Sequence, residues 1–133
     1  MEQLITIPAY HPFDETVERI ISLIKDKGFT IFSQIDHAAE AIKNGLFLRP
    51  TKLIIFGNPK VGTSLMNDRQ SCGIDLPVKI LIWEAVTGKV WLSYNSMSSL
   101  KCKHQLSEDT FNLLRKIEKE VARICAKASG DLE

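Results

Sequence analysis

The chain is poor in most of the features by which a sequence announces chemistry. It has three cysteines, Cys72, Cys102 and Cys125, too few and too scattered for a disulfide framework or for the paired spacings of a zinc site. An odd count without pairs reads as reduced thiols, and sets the expectation of a cytoplasmic protein. Net charge is nearly absent: 17 lysines and arginines against 16 aspartates and glutamates leave +1. No basic field suits nucleic acid, so no nucleic-acid partner is expected. The apolar runs last only a few residues, far short of the roughly 20 that a membrane span needs. Met1-Glu2-Gln3-Leu4-Ile5 lacks the basic start and apolar core of a secretory leader. No membrane partner is expected. Internal repeats and low-complexity segments are missing, and so is any catalytic motif, which leaves catalytic residues and cofactor unassigned.

What is present is an ordinary globular composition, 44% hydrophobic and 25% charged. With 133 residues the expectation is a single α+β domain over 1–133, long enough to bury one substantial core.

Leu4–Pro8 predicts a first strand, followed by Tyr10-His11-Pro12. A helix then runs to about Lys27, because Phe13, Val17, Ile20, Ile21 and Ile24 keep the helical period. Asp14, Glu15 and Glu18 near its start and Lys25 and Lys27 near its end suit the helix dipole, and Gly28 is a stop. Phe29–Ile35 is a second strand, and Asp36 caps a short helix over His37–Asn44 that Gly45 ends. Thr51–Gly57 is apolar enough to predict a strand buried on both faces. Asn58 before Pro59 is an N-cap with proline at N1, opening a helix to about Asn67, after which Gln70–Asp75 reads as a polar loop.

Val78–Ala85 and Val90–Tyr94 predict a hairpin across Val86-Thr87-Gly88-Lys89. A two-residue turn there would set Leu81, Trp83, Val90, Leu92 and Tyr94 on one face and Ile80, Ile82 and Trp91 on the other. Both faces are apolar and both need covering. Asn95–His104 is a serine-rich connector. The last helix starts near Ser107, carries a stripe of Phe111, Leu114, Ile117, Val121, Ile124 and Ala128, and closes at Gly130.

Few residues invite a chemical reading. Cys102-x-His104 is the one metal-like fragment, but a zinc site needs a second pair, so a free thiol and a surface histidine are the simpler account. Cys72 falls in the predicted loop near Arg69. As a nucleophile it would need a lowered pKa. Cys125 lies on the stripe of the last helix and reads as core. Asp36-His37 has the composition of an acid–base pair, although capping alone explains Asp36. Gly57-Asn58-Pro59-Lys60-Val61-Gly62 offers a helix N-terminus to an anion but lacks the Gly-Lys-Ser/Thr of a phosphate loop. Trp83, Trp91 and Tyr94 would stack bases on an exposed sheet, yet only Lys79 and Lys89 interleave them, which favours core or dimer aromatics.

Taken in order, several short strings resemble one bacterial and archaeal family, domain of unknown function 302. They are His11-Pro12-Phe13-Asp14-Glu15-Thr16-Val17, Gly28-Phe29, Ile35-Asp36, Gly57-Asn58-Pro59 and Leu76-Pro77 with the hydrophobic run after it. The resemblance covers nearly the whole chain. Two departures stand out: the family often has cysteine after the proline, where Val78 follows Pro77, and an Asp-Pro-like turn after the last strand, where Asn95-Ser96 stands. The resemblance implies an α+β fold with a five-stranded, mostly antiparallel curved sheet and two long helices on one face, in a TATA-binding-protein-like arrangement. It implies dimers among relatives and carries no established activity. The second apolar face then needs short helices or another subunit over it.

With strands alternating in direction, Asn58 and the loop before Pro77 share one end of the sheet. The leading expectation is therefore a soluble, homodimeric, non-enzymatic module that binds a small ligand or a protein through Asp36, His37, Asn58, Pro59, Cys72 and Pro77. The alternative is a small enzyme using Cys72 or the Asp36-His37 pair. A third reading is metal handling through Cys102 and His104.

Overall fold

The computed structural model describes residues 4–130. Strands β1 (Leu4–Ala9), β2 (Thr30–Asp36), β3 (Thr51–Gly57), β4 (Val78–Glu84) and β5 (Val90–Asn95) form one curved sheet. Their order is β1-β5-β4-β3-β2, and every neighbouring pair is antiparallel. Helices α1 (Phe13–Asp26), α2 (His37–Lys43), α3 (Pro59–Asp68), α4 (Leu100–His104) and α5 (Glu108–Ala128) connect or follow the strands. Gln70–Asp75, read from sequence as a loop, winds into a short 3-10 helix, and the serine-rich connector ends in α4.

Local chemistry accounts for the helix starts. The Asp36 carboxylate accepts from Ala39 N at 2.9 Å, and Ser107 Oγ accepts from Thr110 N at 3.4 Å. Asn58 Oδ1 accepts from Lys60 N at 3.0 Å and Val61 N at 3.3 Å, with Pro59 contributing no donor.

The hairpin register departs from the sequence expectation. Ile82 stands opposite Leu92 and Trp83 opposite Trp91. Ala85 N donates to Lys89 O and Gly88 N to Ala85 O, both at 2.8 Å, and Gly88 has φ +89°. The connection is thus Val86-Thr87-Gly88, three residues with the last left-handed, not a two-residue turn. One residue more in the loop moves every side chain of one strand to the other face. Ile80, Ile82, Val90, Leu92 and Tyr94 therefore lie together in the core with Ile54, Phe56 and Val78, while Leu81, Trp83 and Trp91 share the opposite face.

Over the core face lie α1 and α5, which bury Ile20, Ile24, Leu114, Val121 and Ile124. Both ends of α5 are tied down. At its C-terminus Arg19 of α1 donates to Ala128 O at 3.1 Å and Lys127 O at 2.7 Å, satisfying carbonyls that the helix leaves free. At its N-terminus the Asp68 carboxylate accepts from Ser107 N at 2.8 Å and Thr110 Oγ1 at 2.5 Å. Those two hydrogen bonds hold the Asp68 carboxyl below its ordinary pKa. Gly130, at φ +74°, ends α5 where the His11 ring fills the space a Cβ would need.

The second face has its own order. Trp83 stacks on Trp91 with ring centroids 6.2 Å apart, and Trp83 Nε1 donates to Ser93 Oγ at 2.9 Å. Leu53, Ile55 and Leu81 are half-buried there.

Two substitutions separate these faces. Ile82→Ala should cost about 3–4 kcal/mol, as large-to-small changes in a closed core do, and Leu81→Ala only about 1 kcal/mol. Urea denaturation midpoints check this, and equal losses would mean the register is misassigned. Gly130→Ala should destabilise by about 1–3 kcal/mol through its positive φ and the His11 ring, read as a lowered thermal midpoint.

Candidate functional site

The antiparallel order brings the end of β3, the start of α3 and the segment before β4 to one edge of the sheet. They enclose a cleft of about 330 Å³, lined by Phe32, Gly57, Asn58, Pro59, Val61, Gly62, Thr63, Leu65, Met66, Gly73, Leu76, Pro77, Val78, Leu114 and Ile117. Its walls are almost wholly apolar. The polar group nearest to hand is the start of α3, but its backbone donors are spent: Asn58 Oδ1 takes Lys60 N and Val61 N, and Asn58 O takes Gly62 N at 2.9 Å. A helix N-terminus already capped in this way has no amides left for an anion.

Close to the cleft is a polar cluster that links the 3-10 helix to α4. His104, buried, lies with Nε2 2.6 Å from Asp75 Oδ2 and Nδ1 2.9 Å from the exposed Ser71 Oγ. Lys103 Nζ adds a contact to Asp75 Oδ1 at 3.2 Å. Burial works to raise the Asp75 pKa, but the hydrogen bonds from His104 and Lys103 outweigh it and hold the carboxyl below its ordinary value. An ionised carboxylate only accepts, so Nε2 donates to Asp75, and in the neutral imidazole Nδ1 then offers a lone pair to the Ser71 hydroxyl.

Of the residues singled out from sequence, Asn58, Pro59 and Pro77 meet at the cleft. Cys72 does not line it. The thiol is fully buried beneath, and burial together with the Asp75 and Asp68 charges pushes its pKa up. That is the opposite of what a nucleophile needs. Asp36 and His37 sit at the other end of the sheet, since Asp36 pairs with Lys52 near the start of β3 and Thr30 with Gly57 at its end. There Asp36 caps α2 and His37 is exposed. Cys102 is exposed, whereas His104 is not the surface histidine expected, and both its ring nitrogens face protein partners. Among the described residues no group of three or more histidine, cysteine or acidic side chains is placed to hold a metal. Cys125 is buried in the core, its pKa pushed up to about 12 by burial. Ser71 and Asp75 escaped sequence reading. Their one signal was a spacing of four residues in a polar stretch, and His104 lies 33 positions from Ser71.

An open five-stranded antiparallel sheet backed by two helices on one face, with a cleft at the β3–α3 edge, defines a small α+β domain. The description "Domain of unknown function DUF302" matches residues 5–127, and the chain belongs to that family. It is similar in fold to an uncharacterized conserved DUF302 protein from Bacillus stearothermophilus, known from a crystal structure. That likeness has a TM-score of 0.83 at 21% identity, over 94% of this chain and 97% of the other. A curated relative from Brucella suis, named Fluoride-specific ion channel FluC 1, is 39% identical over 128 residues, 96% of this chain and 50% of its own length. Fluoride-specific ion channel FluC 2 of Brucella melitensis is also 39% identical, over 96% of this chain and 47% of its own. The chain spans about half the length of the curated relatives it matches. Among the described residues no helix is long and apolar enough to cross a membrane.

Burial ranks the thiols. At neutral pH iodoacetamide should modify Cys102 first, with Cys72 and Cys125 protected until the protein unfolds; peptide mass spectrometry reads the order, and prompt labelling of Cys72 would contradict its burial. The lowered Asp75 pKa gives a sign for acid stability. Its contribution is complete above the unfolded value of about 3.9 and is lost as pH falls through the lower folded value. Asp75→Asn should therefore narrow its stability gap to the parent protein as pH drops from about 5 towards 2, measured by urea midpoints across that range.

Proposed function

We propose that the domain is a dimeric small-ligand-binding module whose recognition element is the apolar cleft between β3, α3 and the Leu76-Pro77 segment. One observation carries the reading: a cleft of about 330 Å³ with apolar walls and a fully capped helix start beside it. That size is at the lower end for small-molecule pockets. The ligand class that fits is a compact, uncharged, largely apolar molecule. Asn58, Pro59 and Pro77 would contact it. Cys72, Asp36 and His37 would not.

The dimeric part rests on the second sheet face. Stacked Trp83 and Trp91, with Leu53, Ile55 and Leu81 beside them and Phe32 49% exposed, form an apolar surface of the kind that another copy covers. Fluoride conduction, part of the names of the Brucella proteins, is not carried to this chain. Its strands form an open sheet, and none of its described helices suits a membrane span.

Gly62 supplies the test. It lies in the middle of α3, and the nearest atom to a Cβ built there is the Met66 methyl at 4.0 Å. A Cβ there meets only ordinary contact, so Gly62→Leu should place its side chain in the cleft and preserve or raise stability by about 1 kcal/mol through helix propensity. Titration with the neutral dye N-phenylnaphthylamine is expected to show saturable fluorescence enhancement in the parent protein, lost in Gly62→Leu. Equal dye binding by both proteins would overturn the cleft assignment. Light scattering after size exclusion should give a dimer that Trp91→Glu converts to monomer; a parent protein that is monomeric at all concentrations would remove the dimer.

A further inference from the structure

We propose that Ser71 is a base-activated nucleophile that accepts the acyl group of a carboxylic ester, with His104 as its general base and Asp75 positioning the imidazole. The proposal rests on the hydrogen-bonded series Ser71 Oγ to His104 Nδ1 at 2.9 Å and His104 Nε2 to Asp75 Oδ2 at 2.6 Å. It does not depend on the cleft. A serine hydroxyl is a poor nucleophile until an adjacent base takes its proton, and a base held in one tautomer by a carboxylate is the arrangement that does so. Here the serine meets Nδ1 and the carboxylate Nε2, the reverse of the familiar assignment. Either ring nitrogen can carry the proton, so the chemistry is unchanged.

Exposure divides the three groups by role. Ser71 is exposed, His104 is buried at 7%, and the Asp75 side chain is 26% accessible. The member a substrate must reach is the most exposed of the three. Behind it the imidazole is shielded, and Lys103 Nζ, 3.1 Å from Asp75 Oδ2, helps keep that carboxylate ionised. The backbone fixes the end of α4 there. Gln105, directly after His104, is the one non-glycine residue with positive φ among the described residues, at +57°. Leu106 N donates to Lys101 O at 3.0 Å and closes that turn. A left-handed residue with this bond is how helices commonly stop, and it fixes where the end of α4 holds His104.

The reaction balances without a further reagent besides water. Ser71 Oγ bonds to the ester carbonyl carbon as its proton moves to His104 Nδ1. The carbon–alkoxy bond then breaks, and the departing oxygen takes that proton and leaves as the alcohol. Water attacks the acyl-serine, gives a proton to Nδ1, and the carboxylic acid leaves while Ser71 recovers its hydroxyl proton.

An alkyl fluorophosphonate, which bonds to activated serines, reads the first step in the full chain. Peptide mass spectrometry should find Ser71 labelled, with no label there in Ser71→Ala. His104→Gln should slow labelling about 100-fold or more, the usual scale of general-base assistance, and abolish the increase of rate with pH expected of the parent protein. Asp75→Asn should slow it about tenfold or more, and near-UV circular dichroism establishes which variants remain folded. An unlabelled Ser71 in the parent protein would overturn the proposal. So would unchanged labelling in a folded His104→Gln or Asp75→Asn variant.

Discussion

The pairing of β4 with β5 is the constraint on which the rest of the structure depends. Ile82 opposite Leu92 and Trp83 opposite Trp91 divide the hairpin into an aliphatic face and a tryptophan face. The aliphatic face completes the floor on which α1 and α5 lie, with Ile54, Phe56, Ile80 and Ile82 fully buried. A shift by one residue would place one tryptophan against the helices, Trp83 with Ile82 left outside or Trp91 with Leu92 left outside. Three-residue loop geometry, with Gly88 at φ +89°, selects between these outcomes.

From that register the two functional surfaces follow. The helices are fixed over one face by Arg19 at one end of α5 and Asp68 at the other, so Leu114 and Ile117 reach the β3–α3 edge as a wall of the cleft. The cleft is apolar for a local reason: Asn58 spends the first free backbone amides of α3 on capping. The other face is left with stacked indoles and half-buried aliphatics, which favour association over solvation.

Much of this was legible in the sequence wherever the determinant is local. The stripes of α1 and α5, the Asn58-Pro59 start and the Asp36 cap each need only a few adjacent residues, and they appear where expected. Register was not legible, because Val86-Thr87-Gly88-Lys89 is compatible with more than one loop length and only one residue separates them. Cys72 was misplaced for a different reason. Polar neighbours suggested a loop, yet the 3-10 helix turns the thiol inward while Ser71 stays outside. The grouping of Ser71, Asp75 and His104 was beyond reach, since it depends on α4 folding back against that short helix. Asp36 and His37 looked like partners of Asn58 only until strand direction placed them at opposite ends.

Cross-strand nuclear Overhauser contacts between β4 and β5 test the central claim most directly. The structure predicts contacts pairing Trp83 with Trp91 and Ile82 with Leu92, with Ala85 opposite Lys89 across a three-residue loop. Contacts pairing Ile82 with Trp91 or Ser93 instead would contradict it, and with it the assignment of both faces.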